Sequence, residues 1–509
     1  MASIIPSKNK KFLVLVLLSI VISFPAFPNS WLVGSSHTYT VPSQVRNLVA
    51  DGDTIYIEGG VYLNDATKWA KRDLKIIGLG TGSNRTTMRY NGNIPNHKGI
   101  FVFETPGVCD NAYIENIVFD GAQVSDADGG NGAGIRFQAT NLTVKDCKFV
   151  NCQNGILEGN GAVSTSNVII LNCEFENNGY QLPNAPGFSG FAHHIYISAS
   201  VDTLLVMNNL YHHPRGQANS IKTRAQRAFI LYNYIDEDAS GYGSWEINIA
   251  QGGLNIVLGN VIIQGSSSAN HGIIGYDAVS NPIEDFYFVN NTVINQYAGN
   301  ASYFNIAPTN GIDSFKVYNN IFASIAGSQV SLFNGNLPGG LDTSNNSFSG
   351  DYLAYGFNDP VLGDYSLTVN ATSAIDGGIN AGFSHTSFSL TPDFMYQSFN
   401  ANLLPRYTLG SAIDIGAYEY DAPTKVQTLA HEKEVTIYPN PTTGKFRIIF
   451  SEQGHEYTQL VIYNTLGSGI LRAGCKDMME FDLSSLIKGT YFLKISGSKG
   501  PHYEKIILE

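Results

Sequence analysis

The sequence is poor in cysteine, and its five cysteines show no Cys-x-x-Cys spacing of the kind that binds a structural metal. An odd number also speaks against a complete disulfide scaffold. Charged residues are scarce as well, at 14% of the chain, and the net charge of −12 leaves no basic stripe for nucleic-acid phosphates. These deficits exclude disulfide scaffolds and nucleic-acid-binding proteins, although a local cationic patch could still bind an anionic ligand.

Only one long hydrophobic run is present, at residues 12–24, and it is shorter than the roughly 20 residues of a membrane-spanning helix. Lys8, Lys10 and Lys11 precede the run, and Pro25 follows it. A basic start, an apolar middle and a helix breaker in this order are typical of a secretory signal. We therefore expect a signal peptide over residues 1–30. At 509 residues, the chain is long enough for more than one domain.

Helical periodicity is also absent over any useful length, and in its place a four-residue phrase recurs between Asn111 and Phe348. Each copy has two polar or small residues, a variable residue and an apolar one, and follows an alternating run of β-branched and aromatic residues. The second positions of the copies, spaced 24 to 36 residues apart, are Asn116, Cys147, Cys173, Asn209, Asn233, Asn260, Asn291, Asn320 and Asn346. Such a period predicts the stacked coils of a parallel β-helix. We expect each recurring Asn to hydrogen-bond to the next, and Cys147 and Cys173 to be free core thiols.

Both ends of the repeat region resemble those of known β-helices. Residues 41–50 have the composition of a short capping helix, and Asp51-Gly-Asp-Thr-Ile55 and Gly60-Val-Tyr62 follow it. This order resembles the first coil of pectate-lyase-like β-helices, and residues 357–367 and 414–420 resemble the last coils of bacterial members. The resemblance implies an all-β fold, a right-handed parallel β-helix over residues 31–420.

A polar, proline-bearing segment at residues 421–433 predicts a linker. After it, residues 434–509 alternate in the pattern of a small C-terminal β-sandwich. The phrases Tyr438-Pro-Asn-Pro441 and Leu486-Ile-Lys-Gly-Thr-Tyr491 resemble the type A C-terminal sorting domain of the type IX secretion system of Bacteroidetes. The resemblance implies export by that machinery, with release or attachment at the outer-membrane surface. We expect the protein to be a monomer.

One set of strands within the repeat carries polar side chains that could support chemistry. Strict alternation places Ile195, Ile221, Ile247 and Phe304 inside. The opposite face then carries nine candidates on adjacent coils: His194, Tyr196, Lys222, Arg224, Glu246, Asn248, Tyr276, Tyr303 and Asn305. Because coils stack about 4.8 Å apart, we expect these groups to share one surface.

β-Elimination on a uronic acid fits this set best. The reaction needs a cation to offset the substrate carboxylate, a base for the C5 proton and an acid for the leaving oxygen. We assign Arg224 to the carboxylate, and Lys222, whose pKa we expect Arg224 to lower, to the base. Tyr276 or Tyr196 would protonate the leaving oxygen, and His194 would orient or replace the base. The residues assigned to sugar binding are Tyr196, Glu246, Asn248, Tyr303 and Asn305.

The phrase Asn219-Ser-Ile-Lys-Thr-Arg-Ala225, with residues 252–264, resembles β-helix proteins allied to chondroitinase-B-like and alginate-lyase-like polysaccharide lyases. The resemblance implies an acidic polysaccharide as substrate. Calcium-dependent members use acidic ligands beside the Lys/Arg pair, and only Glu246 could serve here, so we assign no metal ligand and leave calcium open. Two other functions stay open. One is a non-catalytic glycan-binding or adhesin-like surface protein, and the other is a glycoside hydrolase, which needs two or three converging carboxylates.

Overall fold

Each repeat of the sequence forms one coil of three short strands separated by turns. In this computed structural model, strands at the same place in successive coils pair in parallel and build three long sheets, A, B and C. The repeat region is therefore a right-handed parallel β-helix, as predicted. The structure describes residues 28–159, 166–180, 191–308, 310–398, 402–421, 435–450, 457–464, 469–476, 478–497 and 502–509. The expected signal peptide and linker lie almost wholly outside these residues.

The strands of the β-helix are three to seven residues long. Sheet A contains Ser30–Val33, Thr54–Ile57, Lys75–Gly78, Ala112–Glu115, Leu142–Lys145, Ser166–Leu171, Val201–Met207, Arg227–Leu231, Leu254–Leu258, Asp285–Val289, Ser314–Tyr318 and Leu341–Ser344. Sheet B contains Gly60–Leu63, Thr86–Arg89, Val118–Asp120, Lys148–Val150, Glu174–Glu176, Leu210–His212, Tyr234–Asp236, Val261–Gln264, Thr292–Asn295, Ile321–Ser324 and Ser347–Ser349. Sheet C contains Thr67–Trp69, Gly99–Phe103, Ala133–Phe137, Asn154–Glu158, Ile195–Ile197, Ile221–Thr223, Ile247–Ile249, Gly272–Tyr276, Asn300–Ile306 and Gln329–Gly335.

Antiparallel pairs follow the last coil. The short pairs are Phe357–Asp359 with Asp364–Leu367 and Phe394–Met395 with Leu404–Pro405. Two further sheets enclose one apolar core and form the predicted sandwich. Their strands are Val435–Tyr438, Lys445–Phe450 and Met478–Asp482 in one sheet, and Tyr457–Tyr463, Gly469–Gly474, Gly489–Gly497 and His502–Leu508 in the other.

Helical structure in the described part of the chain is limited to four 3₁₀ turns. They are Pro42–Gln44, Gly82–Asn84, Asp126–Asp128 and Tyr352–Ala354. Of the capping helix expected at residues 41–50, only the 3₁₀ turn Pro42–Gln44 forms, and residues 45–48 form turns. None of the described helices is long and apolar enough to span a membrane.

Stacked aromatic rings fill the interior beneath sheet B. Phe119, Phe149, Phe175 and Tyr211 occupy the same place in four successive coils. Their neighbouring ring centroids lie 5.1, 4.9 and 4.8 Å apart, with planes within 9° of parallel. All four side chains are fully buried. The spacing of the coils lets these rings stack, so ring stacking adds to the stability that strand pairing gives the β-helix.

A row of buried amides lies at the corner between sheets A and B, where the repeated phrase falls. Asn260 is representative, since its Oδ1 accepts from the backbone N and the Nδ2 of Asn233 at 2.8 and 2.9 Å. The predicted asparagine ladder is confirmed over Asn209, Asn233, Asn260, Asn291, Asn320 and Asn346. Cys147 and Cys173 continue this row as buried free thiols, which is also as predicted.

The first copy of the phrase is one residue out of register with the others. Lys145 pairs with Glu115, so Cys147 aligns with the buried Ile117. Asn116 instead takes a left-handed turn conformation with φ of 56°, and its Nδ2 donates to two nearby carbonyls. The placement of Asn116 in the ladder was therefore wrong.

Candidate active site

In sheet C, the row of residues that contains Gly134 and Gly155 faces the interior, and so does the next row, which contains Ile135, Ile156 and Ile195. Two glycines show how little room is left there. A Cβ on Gly134 would lie 2.7 Å from the Phe149 ring, and one on Gly155 would lie 2.8 Å from the Phe175 ring. His194 takes the same place in the next coil, because it directly precedes Ile195, the pairing partner of Ile156. Strict alternation fails at this row because the chain is still turning the corner from sheet B.

His194 lies inside the helix and not on its outer face. Its ring packs against Phe175 and Tyr211, with centroids 6.2 and 6.0 Å away, and the side chain is fully buried. Its Nδ1 lies 3.0 Å from Nδ2 of Asn178. Burial holds the pKa of His194 well below its usual range. The expected outward position of His194 was wrong, and a substrate on the outer face cannot reach it.

Glu246 and Tyr303 belong to the same inward row. Burial, and then the charge of Glu237, raise the pKa of Glu246 well above its ordinary value. The Tyr303 ring packs 4.7 Å from the Phe322 ring. Only 3% of Glu246 and 4% of Tyr303 is exposed, so the outward position expected for both was wrong.

Tyr276 also points inward, because the pairing of its strand differs by one residue from the expected phase. Ile274 pairs with Ile247, which leaves Tyr276 opposite the buried Ile249. The Tyr276 hydroxyl donates to Glu284 Oε2 at 2.9 Å. Burial first, and then Glu284, raise the pKa of Tyr276. Its expected outward position was wrong, and it cannot donate a proton at the outer surface.

The other five candidates face outward from sheet C, but Asn248 is covered and only 1% exposed, so its expected contact with a sugar was wrong. Strand pairing aligns Tyr196, Lys222, Asn248 and, two coils further, Asn305 in one row. Arg224 follows Lys222 by two residues on the same side of the strand. Its guanidinium carbon lies 6.0 Å from the centroid of the Tyr196 ring. Neighbouring members of the row are about 4.8 Å apart, so one ligand could contact several of them.

Arg136 joins this row and was missed in the sequence. Its strand pairs with Asn154–Glu158, and Leu157 of that strand aligns with Tyr196. The alternation in Gly134-Ile-Arg-Phe137 was a signal that could have found it. We call Arg136, Tyr196, Lys222, Arg224 and Asn248 the cationic face. Its three cations are half-buried, and none of the ion pairs among the described residues includes them.

The electrostatics of the cationic face favour the neutral form of Lys222. Burial and the charge of Arg224 lower the pKa of Lys222, against the opposing effect of Asp277. Burial likewise lowers the pKa of Arg136. A lysine with a lowered pKa is more easily deprotonated, whereas a charged guanidinium can hold a carboxylate through two parallel hydrogen bonds. The face can therefore offer both a base and a carboxylate clamp.

An aromatic surface borders the cationic face. The indole of Trp245 lies along the backbone of the next coil, where Cβ atoms on Gly272 and Gly275 would be 2.5 and 3.0 Å from it. Only glycine at these two positions lets the ring lie against the strand. A half-exposed indole offers an apolar face on which the C–H side of a sugar ring can pack.

The described residues of this face do not fit a calcium ion. Calcium takes six to eight oxygen ligands. The nearest outward carboxylate, Asp277, already accepts from Asn248 Nδ2 at 2.9 Å. Glu246, the one acidic ligand considered from the sequence, faces the interior.

Comparison with known proteins gives one family match and two similar structures. Residues 436–509 match the secretion system C-terminal sorting domain. The crystal structure of pectate lyase Pel9A is similar at 13% identity and a TM-score of 0.47, over 78% of this chain and 98% of that one. The PL6 family alginate lyase AlyGC is similar at 13% identity and a TM-score of 0.34, over 72% of this chain and 59% of that one. No curated protein sequence matches the chain.

The family match covers the strands of the sandwich and confirms its resemblance to a type IX sorting domain. A domain of this kind directs its protein into a secretion pathway. The chain is a parallel β-helix protein whose residues 436–509 match the secretion system C-terminal sorting domain, and this match indicates that the protein is secreted.

Proposed function

We propose that the cationic face binds an acidic polysaccharide and cleaves it by β-elimination. The observation that carries this proposal is the set of three half-buried basic side chains that form no ion pair with a carboxylate among the described residues. A uronate chain supplies such a partner on each sugar. Arg136 lies three coils from Lys222, roughly 14 Å at the usual spacing, so Arg136 would bind the carboxylate of a different sugar from the one that reacts at Lys222 and Arg224.

The outward residues can fill the roles that elimination needs. Arg224 would hold the sugar carboxylate and stabilise the negative charge that develops as C5 loses its proton. Lys222 Nζ would take that proton, the electron pair would form the C4–C5 double bond, and the C4–O bond would break. The Tyr196 hydroxyl would protonate the leaving oxygen. Trp245 would pack against the sugar ring beside these groups, and the buried Asn248 would act only by holding Asp277.

The test is the ultraviolet absorbance of the unsaturated uronide, which elimination forms and hydrolysis does not. The full chain would be incubated with alginate, pectate or chondroitin. Lys222→Ala should lower the initial rate by about 100-fold or more, as expected for a general base. Lys68→Ala is the matched control, because Lys68 lies in the same outward row but is ion-paired with Glu104 at 3.1 Å. A Lys222→Ala rate equal to wild type would overturn the assignment.

Arg224→Lys separates charge from geometry. Lysine keeps the positive charge but cannot form the planar two-bond clamp on a carboxylate. We expect a rate at least about 10-fold lower than wild type, with the substrate still bound. An unchanged rate would show that Arg224 acts only as a distant charge.

A non-catalytic glycan-binding protein is the second candidate. It is favoured by the burial of His194 and Tyr276, which removes two of the expected acid–base groups from the surface. Binding across the polysaccharide panel without any unsaturated product would support it. New reducing ends without the ultraviolet signal would indicate a hydrolase, which is disfavoured because Asp277 is the one carboxylate among the described residues that hydrogen-bonds to the cationic face.

We also propose that the sorting domain delivers the β-helix to the outer-membrane cell surface as a monomer. Immunoblots of cell-surface, outer-membrane and medium fractions would test the destination. Deletion of residues 434–509 should leave the β-helix inside the cell envelope. Size-exclusion chromatography of the purified chain would test the oligomeric state.

A further inference from the structure

A group of histidines and carboxylates lies on sheet B, apart from the cationic face. His212 ends the strand Leu210–His212, and His213 follows it as a turn residue with φ of 53°. Asp238 is a turn residue of the next coil, with φ of 50°. The side chains of His212, His213 and Asp238, which we call the histidine corner, are all half-buried, and their donor atoms lie within 4.8 Å of one another.

A neighbouring carboxylate fixes which nitrogen of His212 carries the proton. Glu174 Oε1 lies 3.0 Å from His212 Nε2. Lys148 Nζ lies 3.0 Å from the same Oε1, and this positive partner favours the ionised carboxylate. The ionised carboxylate can only accept, so the proton is on Nε2. In the neutral ring, Nδ1 of His212 then presents a lone pair to the histidine corner.

The remaining contacts cannot all be satisfied by protons. His212 Nδ1 lies 3.1 Å from His213 Nδ1, and His213 Nδ1 lies 2.7 Å from Asp238 Oδ2. Asp238 Oδ2 is shielded from solvent, yet it does not meet His213 in hydrogen-bond geometry. One proton on His213 Nδ1 cannot serve both His212 and Asp238. At least one of these two acceptors is therefore left without a proton, and a cation between the three atoms would supply the missing partner.

We propose that His212 Nδ1, His213 Nδ1 and Asp238 Oδ2 bind one divalent transition-metal ion, with zinc as the best match. Two imidazoles and one carboxylate are a typical zinc donor set, whereas calcium and magnesium favour oxygen alone. At zinc–nitrogen distances of about 2.0–2.1 Å, a tetrahedral ion separates two nitrogens by about 3.3 Å. The two Nδ1 atoms are 3.1 Å apart, close to that value, and the 2.7 Å between His213 Nδ1 and Asp238 Oδ2 would have to widen around the ion. Three protein ligands leave the fourth position to water.

The surrounding charges favour this set over the alternative of Glu174, Glu176 and His212. Lys148 pairs with Glu174 at 3.0 Å and with Glu176 at 2.5 Å, so these carboxylates already have a cation. Glu174 instead takes the part of the outer carboxylate that accepts the second ring proton of a metal-bound histidine. The ion would connect the turns of two successive coils, and so it would stabilise the β-helix at this corner.

The experiment is zinc titration of the untagged full chain by calorimetry, after treatment with a chelator. We expect one equivalent to bind, with calcium and magnesium unable to compete. His213→Ala should weaken binding at least about 100-fold, and Glu174→Gln about 10- to 100-fold. His97→Ala is the matched control, because His97 Nδ1 lies 3.0 Å from Asp128 in a histidine–carboxylate pair.

Asp238→Asn keeps the test decisive if the histidine variants fold poorly. Asparagine tolerates the left-handed turn, as Asn177 does at φ of 56° in an earlier coil. The variant should fold normally, bind zinc at least about 10-fold more weakly and lose the rise in melting temperature that zinc gives the wild type. Wild-type binding below one equivalent, or equal zinc affinity in wild type, Asp238→Asn and His213→Ala, would overturn the proposal.

Discussion

Asn260→Ala tests whether the asparagine ladder holds the coils together, because it removes one rung from the buried middle. Asn260 Oδ1 is the acceptor for both the backbone N–H and the side-chain Nδ2–H of Asn233. Asn260 Nδ2 also donates to the Ile230 carbonyl at 2.8 Å and to Asn291 Oδ1 at 3.0 Å. The substitution leaves two donors of Asn233 without an acceptor at a site with no solvent exposure.

The magnitude follows from the number of groups left unpaired. Each buried donor that loses its partner lowers the free energy of unfolding by about 1–3 kcal/mol, so we expect a loss of about 4 kcal/mol. Asn346→Ala is the matched control, because it removes the last rung, which is half-exposed. Water can replace that amide, so the loss there should be only about 1 kcal/mol.

Guanidinium unfolding followed by tryptophan fluorescence measures this difference in the full chain. All three tryptophans, Trp31, Trp69 and Trp245, lie in the β-helix, so the signal does not report on the sandwich. Equal losses in Asn260→Ala and Asn346→Ala would refute the reasoning, because water would then replace the amide in the middle of the ladder as well as at its end.

Three further substitutions test other buried groups. Burial and the charge of Glu237 raise the pKa of Glu246, so its contribution to stability is present at acid pH and is lost as pH rises through that raised pKa. Glu246→Gln should flatten this pH dependence of the free energy of unfolding. A pH profile equal to that of the wild type would contradict the reasoning. Cys173→Asn should add a rung to the asparagine ladder and raise the free energy of unfolding by about 1 kcal/mol. The reason is that Cys173 Sγ lies 3.7 Å from the Val144 carbonyl, to which an amide at this position would donate. A lower free energy of unfolding in denaturant would count against this. Tyr276→Phe should lower that free energy by about 1–2 kcal/mol and leave glycan cleavage unchanged, whereas lost activity in a folded variant would return Tyr276 to the catalytic set.

The sequence predicts the β-helix well because its buried polar groups must be paired. An amide inside a coil needs a partner in the next coil, and this requirement leaves a visible period in the sequence. Where the partner is not an amide, the period is harder to read. Asn116 looks like a rung, but it bonds to nearby carbonyls, and Ile117 takes the rung position.

The candidate site was harder to predict because alternation assumes a straight strand. It gives the outward direction of Lys222 and Asn248 correctly, since both lie where strands of sheet C run regularly, but it does not predict that Asn248 is covered. At the corner with sheet B, two consecutive residues face inward, and His194 is therefore buried. Gly134 and Gly155 mark that inward row, because larger side chains would meet the stacked phenylalanines. Their meaning becomes clear only once the register is known.

Ion pairs elsewhere on the β-helix show what is unusual about the cationic face. On sheet B, Lys148 lies 3.0 Å from Glu174, so that cation is matched within the protein. Lys222 and Arg224 stand side by side instead, and Arg224 disfavours the charge of Lys222. Such a local conflict is expected where a ligand supplies the missing anion. In the histidine corner, an acceptor lone pair lacks a partner, and a bound cation would supply it. The two sites should therefore act independently, and zinc should not change the affinity for an acidic glycan.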